Sequence, residues 1–232
     1  MTGDMGEIDY DAFDALTFDC YGTLIDWEAG ILAALAPHLP GTDAEDVLER
    51  FARHEARLEA GPYLPYREVL AGCLRGLGEE FGFEPSDDEA RTFGASVKDW
   101  PAFEDSPDAL ARLKQRFKLA VITNCDDDLF AASNRRLGVE FDWIITAEQA
   151  RGYKPRTENF EFAFERIDVA RERILHVAQS LFHDHVPAKA LGMTSVWIDR
   201  RQGREGSGAT PPADATPDLT VGDLRSFADV AT

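Results

Sequence analysis

A chain of 232 residues, 44% hydrophobic and 29% charged, has the composition of a soluble globular protein able to bury one substantial core, with or without an inserted subdomain. Its formal charge of -19 opposes binding to nucleic acid or anionic membranes, so a small anionic substrate needs a local cationic pocket, and no apolar run is long enough to cross a bilayer. Cys20, Cys73 and Cys125 form no CxxC pair and are odd in number, which argues against a disulfide framework or a zinc site. The acidic segment Met1 to Asp14 lacks the features of a secretory signal, so the expected location is the cytoplasm.

The first expected strand is Ala15 to Phe18, a short apolar run that ends at Asp19. From about residue 27 to 97 only helical periodicity follows. Asp43 to Glu59 and Tyr66 to Phe81 are amphipathic and are separated by Gly61, Pro62 and Pro65, and Ser86 to Glu89 matches a capping box. Ser106 with Pro107 opens the next helix, and strands are expected at Leu119 to Thr123, Trp143 to Thr146, Ile174 to Val177, Thr194 to Ile198 and Leu219 to Val221. Between them, helical patterns start near Asp127, at Thr157 before Glu158 to Ile167, and near Pro187, and residues 201 to 217 read as a long loop. The alternation predicts an α/β fold with a Rossmann-like parallel sheet and helices on both faces. Residues 27–96 are read as a helical cap inserted into a core of residues 1–26 and 97–232.

In such sheets ligands bind beyond the carboxyl ends of the strands, and four of these ends carry polar groups. Asp19 stands at the tip of the first, with Tyr21, Gly22 and Thr23 in the turn behind it. Thr123 and Asn124 follow the second strand, Tyr153, Lys154 and Pro155 the third, and Gln179, Ser180, His183 and Asp184 the fourth. Each station alone reads as a helix cap or a solvated lysine; together they are hard to explain as caps.

The segments F-D-C-Y-G-T-L, I-T-N, Y-K-P and the run ending in Asp184 resemble, in order, the four motifs of the haloacid dehalogenase (HAD) superfamily. The helical insertion, the Tyr21-Gly22-Thr23 triplet and the Trp197 to Arg200 segment are similar to type II 2-haloacid dehalogenases. The resemblance implies a HAD-like fold and hydrolysis without metal or organic cofactor, in which Asp19 attacks the carbon bearing the halogen and water then cleaves the ester. It gives Lys154 the task of holding Asp19 ionised and helping to neutralise the substrate carboxylate. Thr23 and Thr123 become hydrogen-bond donors, and Asp184 orients or deprotonates the water. Asn124 resembles a residue that cradles the halide together with a cap arginine, best matched by Arg53, with Arg50 and Arg57 on the same helical face. Family members often dimerise through the cap region, so a homodimer is compatible with the resemblance.

Position 21 separates the branches of the superfamily. Phosphatases carry a second Asp there to protonate a leaving alcohol, whereas Tyr21 suits a halide, which requires no general acid. The chain also departs from the dehalogenase pattern. A family Tyr falls on Phe160, removing a donor to the substrate carboxylate, and the fourth motif carries Gln179, Ser180 and His183 with one extra residue. His183 is either structural or a water-activating base. Tyr63, Tyr66, Trp100 and Trp27 are candidates for an apolar wall over the site. Two other readings stay open: a magnesium-dependent phosphatase using Asp19 and Asp184 as ligands, and a catalytically silent member that binds an anion or a partner.

Overall fold

The structure, a computed structural model, describes residues 8–204 and 206–232; the beginning of the acidic N-terminal segment and residue 205 of the long loop lie outside them. In chain order the elements are β1 (Ala15–Phe18), α1 (Trp27–Leu35), α2 (Ala44–Glu59), α3 (Tyr66–Phe81), α4 (Asp87–Gly94), α5 (Ser106–Leu113), β2 (Lys118–Thr123), α6 (Asp127–Leu137), β3 (Trp143–Thr146), α7 (Ala147–Ala150) and α8 (Glu158–Phe164). They continue with β4 (Ile174–Ala178), a π-helical turn (Leu181–His185), α9 (Val186–Ala190), β5 (Thr194–Ile198), β6 (Leu219–Val221) and α10 (Leu224–Ala231). Among the described residues no helix is long and apolar enough to cross a membrane.

The strands form one parallel sheet in the order β3-β2-β1-β4-β5-β6. β1 is buried along its whole length, since helices cover both sheet faces, and it pairs with β2 (Phe18 beside Val121) and β4 (Phe18 beside Val177). The chain moves outward from β1 in one direction through β2 and β3 and in the other through β4 to β6. The carboxyl end of β1 is therefore the point where strand order reverses, and neighbouring βα loops diverge there to leave a crevice. Asp19 is the first residue past that end, and its backbone N–H still donates to Val177 O at 3.2 Å.

The helical segment between β1 and β2 starts and stops as its sequence requires. Asp43 caps α2, Ser86 and Glu89 form the capping box of α4, and Gly82 ends α3 at φ 80°. α3 has no side-chain cap of its own, because Pro65 precedes it. Asp126, just after β2, supplies one from across the molecule, accepting hydrogen bonds from Tyr66 N at 2.7 Å and Arg67 N at 3.2 Å and pairing with the Arg67 guanidinium. Arg156 does the converse at the other end of the hairpin, donating to Ala60 O at 2.8 Å and Gly61 O at 3.1 Å beyond the C-terminus of α2. The loops carrying Asn124 and Lys154 thus also fix the α2–α3 hairpin over the end of the sheet.

Candidate active site

A small cavity of about 20 Å³ lies over Asp19, and in this closed arrangement it has room for little more than one water molecule. Its lining comes from the turn after β1 and the start of α1 (Asp19, Tyr21, Trp27), from α2 and α3 (Glu55, Glu59, Tyr66) and from the loops beyond β2, β3 and β4 (Asn124, Lys154, Ser180, His183, Asp184).

Lys154 holds the centre together. Its ammonium is buried and donates to Asp19 Oδ1 at 2.8 Å, Asp184 Oδ1 at 2.7 Å and Ile122 O at 2.9 Å, which uses all its protons. Thr23 Oγ1 donates to Asp19 Oδ2 at 2.6 Å and accepts the Gln179 N–H at 2.9 Å, an arrangement that aims the Thr proton at Asp19. Both carboxylate oxygens of Asp19 are therefore oriented. Burial, together with repulsion from Asp184, pushes Asp19 above the usual carboxylate range, while Lys154 and Thr23 act in the opposite sense. Burial also opposes ionisation of Asp184, but Lys154 and His176 outweigh it and hold that carboxyl well below its ordinary value. Burial likewise disfavours the ammonium, yet the two carboxylates keep Lys154 above the ordinary lysine value.

His176 is a member of this network that the sequence reading missed. Buried in β4, it donates from Nε2 to Asp184 Oδ1 at 3.1 Å and accepts from Thr17 Oγ1 at Nδ1 at 2.9 Å. A buried set with more carboxylates than cations costs stability compared with apolar packing, which marks the place as functional. The segment after β4 forms a π-helical turn, Leu181–His185, wider than an α-helix, which carries His183 and Asp184 to the cavity. Asp184 Oδ2 has no partner among the described residues.

Several expected site residues are elsewhere. Arg53 points outward, with 59% of its side chain exposed, and pairs with Glu80 at 3.3 Å. Arg50 binds Asp46 and Glu80, and Arg57 donates to His54, so the arginine stripe of α2 is its outer face. Phe160 is core, fully buried against His176 and the apolar side chains beneath the sheet, because α8 starts at Glu158 and turns it inward. Gln179 reaches the site only through its backbone; its side chain lines a separate cleft with Arg200 and Arg201. Tyr21 lines the cavity with its ring but directs its hydroxyl away, to Ser133 Oγ at 3.0 Å. Of the aromatic candidates, Trp27 and Tyr66 line the cavity, whereas Trp100 packs behind Tyr21 and Tyr63 stacks on Tyr153. Thr123 is buried, its hydroxyl has no partner among the described residues, and it lies outside the lining. Asn124 does line it, and its Oδ1 accepts the Lys154 N–H at 2.8 Å.

Two further side chains were missed from sequence, Glu55 and Glu59, which α2 turns into the cavity where a cap arginine was expected. They continue the inward stripe of Val47, Phe51 and Ala52, and that periodicity was their available signal.

A divalent cation does not fit between Asp19 and Asp184 as they stand. Lys154 Nζ already bridges their Oδ1 atoms, position 21 offers no carboxylate, and the described residues hold no cluster of three or more His, Cys, Asp or Glu suited to a metal.

Comparison with known proteins agrees with this geometry. A family model described as haloacid dehalogenase-like hydrolase matches residues 13–190. Haloacetate dehalogenase H-2 of Moraxella sp. (strain B) is 29% identical over 215 residues, covering 90% of this chain and 93% of that protein. The fold is shared with L-2-haloacid dehalogenase from Xanthobacter autotrophicus carrying covalently bound chloropropionic acid, with TM-score 0.80, 20% identity, and 94% and 98% of the two chains covered. It is equally shared with the HAD-hydrolase YfnB from Bacillus subtilis bound to magnesium, with TM-score 0.77, 21% identity, and 94% and 98% coverage, so the fold alone does not choose between chemistries.

Proposed function

The chain belongs to the haloacid dehalogenase-like hydrolases, and on that premise we propose that it releases halide from short 2-haloalkanoic acids through a covalent ester on Asp19, without a metal or organic cofactor. The observation that carries this reading is the combination at the tip of β1: a carboxylate held at both oxygens by Lys154 and Thr23, and a Tyr at position 21 whose hydroxyl is turned away.

In the first half of the reaction an Asp19 oxygen attacks the carbon bearing the halogen. The C–O bond forms, and halide departs with the electron pair of the C–X bond, so no proton donor is required. In the second half, water adds to the Asp19 carboxyl carbon and passes a proton to Asp184, which returns it to the departing alkoxide oxygen as the acyl C–O bond breaks. Asp184 orients this water through its unpartnered Oδ2, and Lys154 and Thr23 stabilise the charge that develops on the ester oxygen. The hydroxyacid leaves and Asp19 is regenerated. Asn124, Trp27 and Ser180 bound the space for the reacting group, and the small cavity favours substrates of two or three carbons. Admission of even these requires the α2–α3 hairpin or Trp27 to move aside, consistent with α1–α4 acting as a cap over the core. The described cysteines are free and buried, as suits a cytoplasmic enzyme.

Chloride release from 2-chloroacetate or 2-chloropropionate is expected to persist in excess EDTA, with little hydrolysis of p-nitrophenyl phosphate even when magnesium is supplied. Robust magnesium-dependent phosphate release, or no halide from any short 2-haloacid, would overturn the reading. A second outcome follows from the outward stripe of α2: Arg53→Ala is expected to leave kcat/KM for 2-chloroacetate within about two-fold, since exposed ion pairs contribute only about 0–1 kcal/mol. A loss of tenfold or more would put Arg53 back in the site.

A further inference from the structure

An anionic substrate ordinarily meets a cation with a proton to spare, and the cavity offers none. Lys154 donates all its protons to Asp19, Asp184 and Ile122 O. Arg50, Arg53 and Arg57 face outward, and Arg156 is bound to backbone carbonyls past α2. In their place stand Glu55 and Glu59, one helical turn apart and only 2% and 5% exposed. Tyr66 donates to Glu55 Oε1 at 2.7 Å and Asn124 to Glu59 Oε2 at 3.2 Å, leaving the other oxygen of each carboxyl without a partner among the described residues.

His183 supplies an independent observation. It is 7% exposed, lines the same cavity, and its Nε2 is unpartnered, 3.8 Å from Glu59 Oε2. Ser180 Oγ accepts the His183 backbone N–H at 2.9 Å and lies 3.1 Å from His183 Nδ1; in the tautomer in which the Ser180 hydroxyl donates to Nδ1, the imidazole proton sits on Nε2 and faces the cavity. The result is a group of neutral donors facing the space above Asp19.

Building on the dehalogenase reading, we propose that Glu55 and Glu59 remain protonated and, with the His183 Nε2–H, form an uncharged receptor that holds the carboxylate of the 2-haloacid by donating hydrogen bonds to it. A hydrogen bond from a carboxylic acid to a carboxylate is short and charge-assisted, so the receptor binds an anion without adding another buried cation. Burial supports the neutral forms: it pushes Glu55 up to about 8 and, together with repulsion from Glu55, Glu59 well above the usual range. It also lowers His183 to about 4, which keeps the imidazole neutral near pH 7. The charged and titratable groups facing the pair are Asp19 from the β1 tip, Lys154 and Arg156 from the loop after β3, His183 and Asp184 from the turn after β4, and Tyr66 and Cys73 from α3, with Tyr153 nearby. Lys154 and Arg156 favour ionised Glu59, but burial and Glu55 outweigh them, and an arriving carboxylate adds further opposition to ionisation.

The sign of the pH dependence follows. The donors exist below the raised pKa values and are lost as pH rises through them, so KM for 2-chloroacetate should rise from about pH 8 upward, where ionised Glu55 repels the substrate. The decisive measurement is KM and kcat from pH 6 to 10 for the parent, Glu59→Ala, and the double variant Glu55→Gln with Glu59→Gln, with thermal midpoints recorded alongside. Glu59→Ala should raise KM at pH 7 by about ten- to a hundred-fold, the loss expected for one hydrogen bond to a charged group. The double Gln variant, whose amide N–H is a weaker but non-titrating donor, should show a KM raised several-fold and flat with pH. If Glu59→Ala fails to fold, the double variant still decides. A parent KM that does not rise above pH 8, or the same rise in the double variant, overturns the proposal while leaving dehalogenation intact. A parent that releases no halide at pH 7 removes both.

Discussion

Asp19→Asn is expected to reduce halide release by about 10⁴-fold or more, since the amide lacks the nucleophile's charge and no neighbouring group can replace it. The variant should nevertheless fold. In the parent, one ammonium stands between two buried carboxylates, whereas in the variant Lys154 and Asp184 form a balanced pair and the substituted amide keeps the shape of the Asp19 side chain, so stability should change by no more than about 1 kcal/mol. The covalent step has its own signature. A single turnover of the parent in oxygen-18 water should place the label in the Asp19 carboxylate and leave the first hydroxyacid product unlabelled. Label in that product, or appreciable halide release by the variant, would mean direct attack by water.

The strands and their order along the chain were legible because each is a short apolar run bounded by turn residues, and the observed bounds of β3 and β6 coincide with those expected. The helices of the insertion were legible through periodicity and local chemistry: Asp43 to Glu59 and Tyr66 to Phe81 form amphipathic helices as expected, with Asp43 capping the first, and Ser86 occupies the cap position read from sequence. α8 ends at Phe164, short of the expected Ile167, since helix ends carry little sequence signal where no glycine or proline marks them. Asp19, Thr23, Lys154 and Asp184 were legible as a site because parallel strands bring their carboxyl ends together. What lay across the cavity was not. α2 carries arginines on one face and Glu55 and Glu59 on the other, and the expectation of a cationic receptor selected the wrong face. A carboxyl on an apolar stripe becomes readable only when the stripe is known to face a polar cavity instead of a core. His176 was hidden for the same reason, as a lone polar residue inside an apolar strand.

Lys154→Met tests the centre from the opposite side. Methionine fills the aliphatic space but leaves Asp19 and Asp184 buried without a cation, so the variant should lose catalysis and, at pH 7, about 3–5 kcal/mol of stability. In the parent, the lowered carboxyl of Asp184 contributes stability that is present above the unfolded value near 4 and lost as pH falls through its depressed folded value. Asp19, already raised in the parent, acts in the opposite sense there, and in the variant Asp184 joins it. With the cation gone, burial and mutual repulsion raise both carboxyls above their unfolded values, so stability falls as pH rises from about 4 through the raised values. The gap between parent and variant should thus be smaller near pH 4.5 than near pH 7, read from urea midpoints at the two pH values. Adding Asp184→Asn to Lys154→Met should recover part of the loss at pH 7, because one of the uncompensated charges is removed. A gap independent of pH, with no recovery in the double variant, would mean that Lys154 serves packing and that the ion triad does not hold Asp19 in its reactive form.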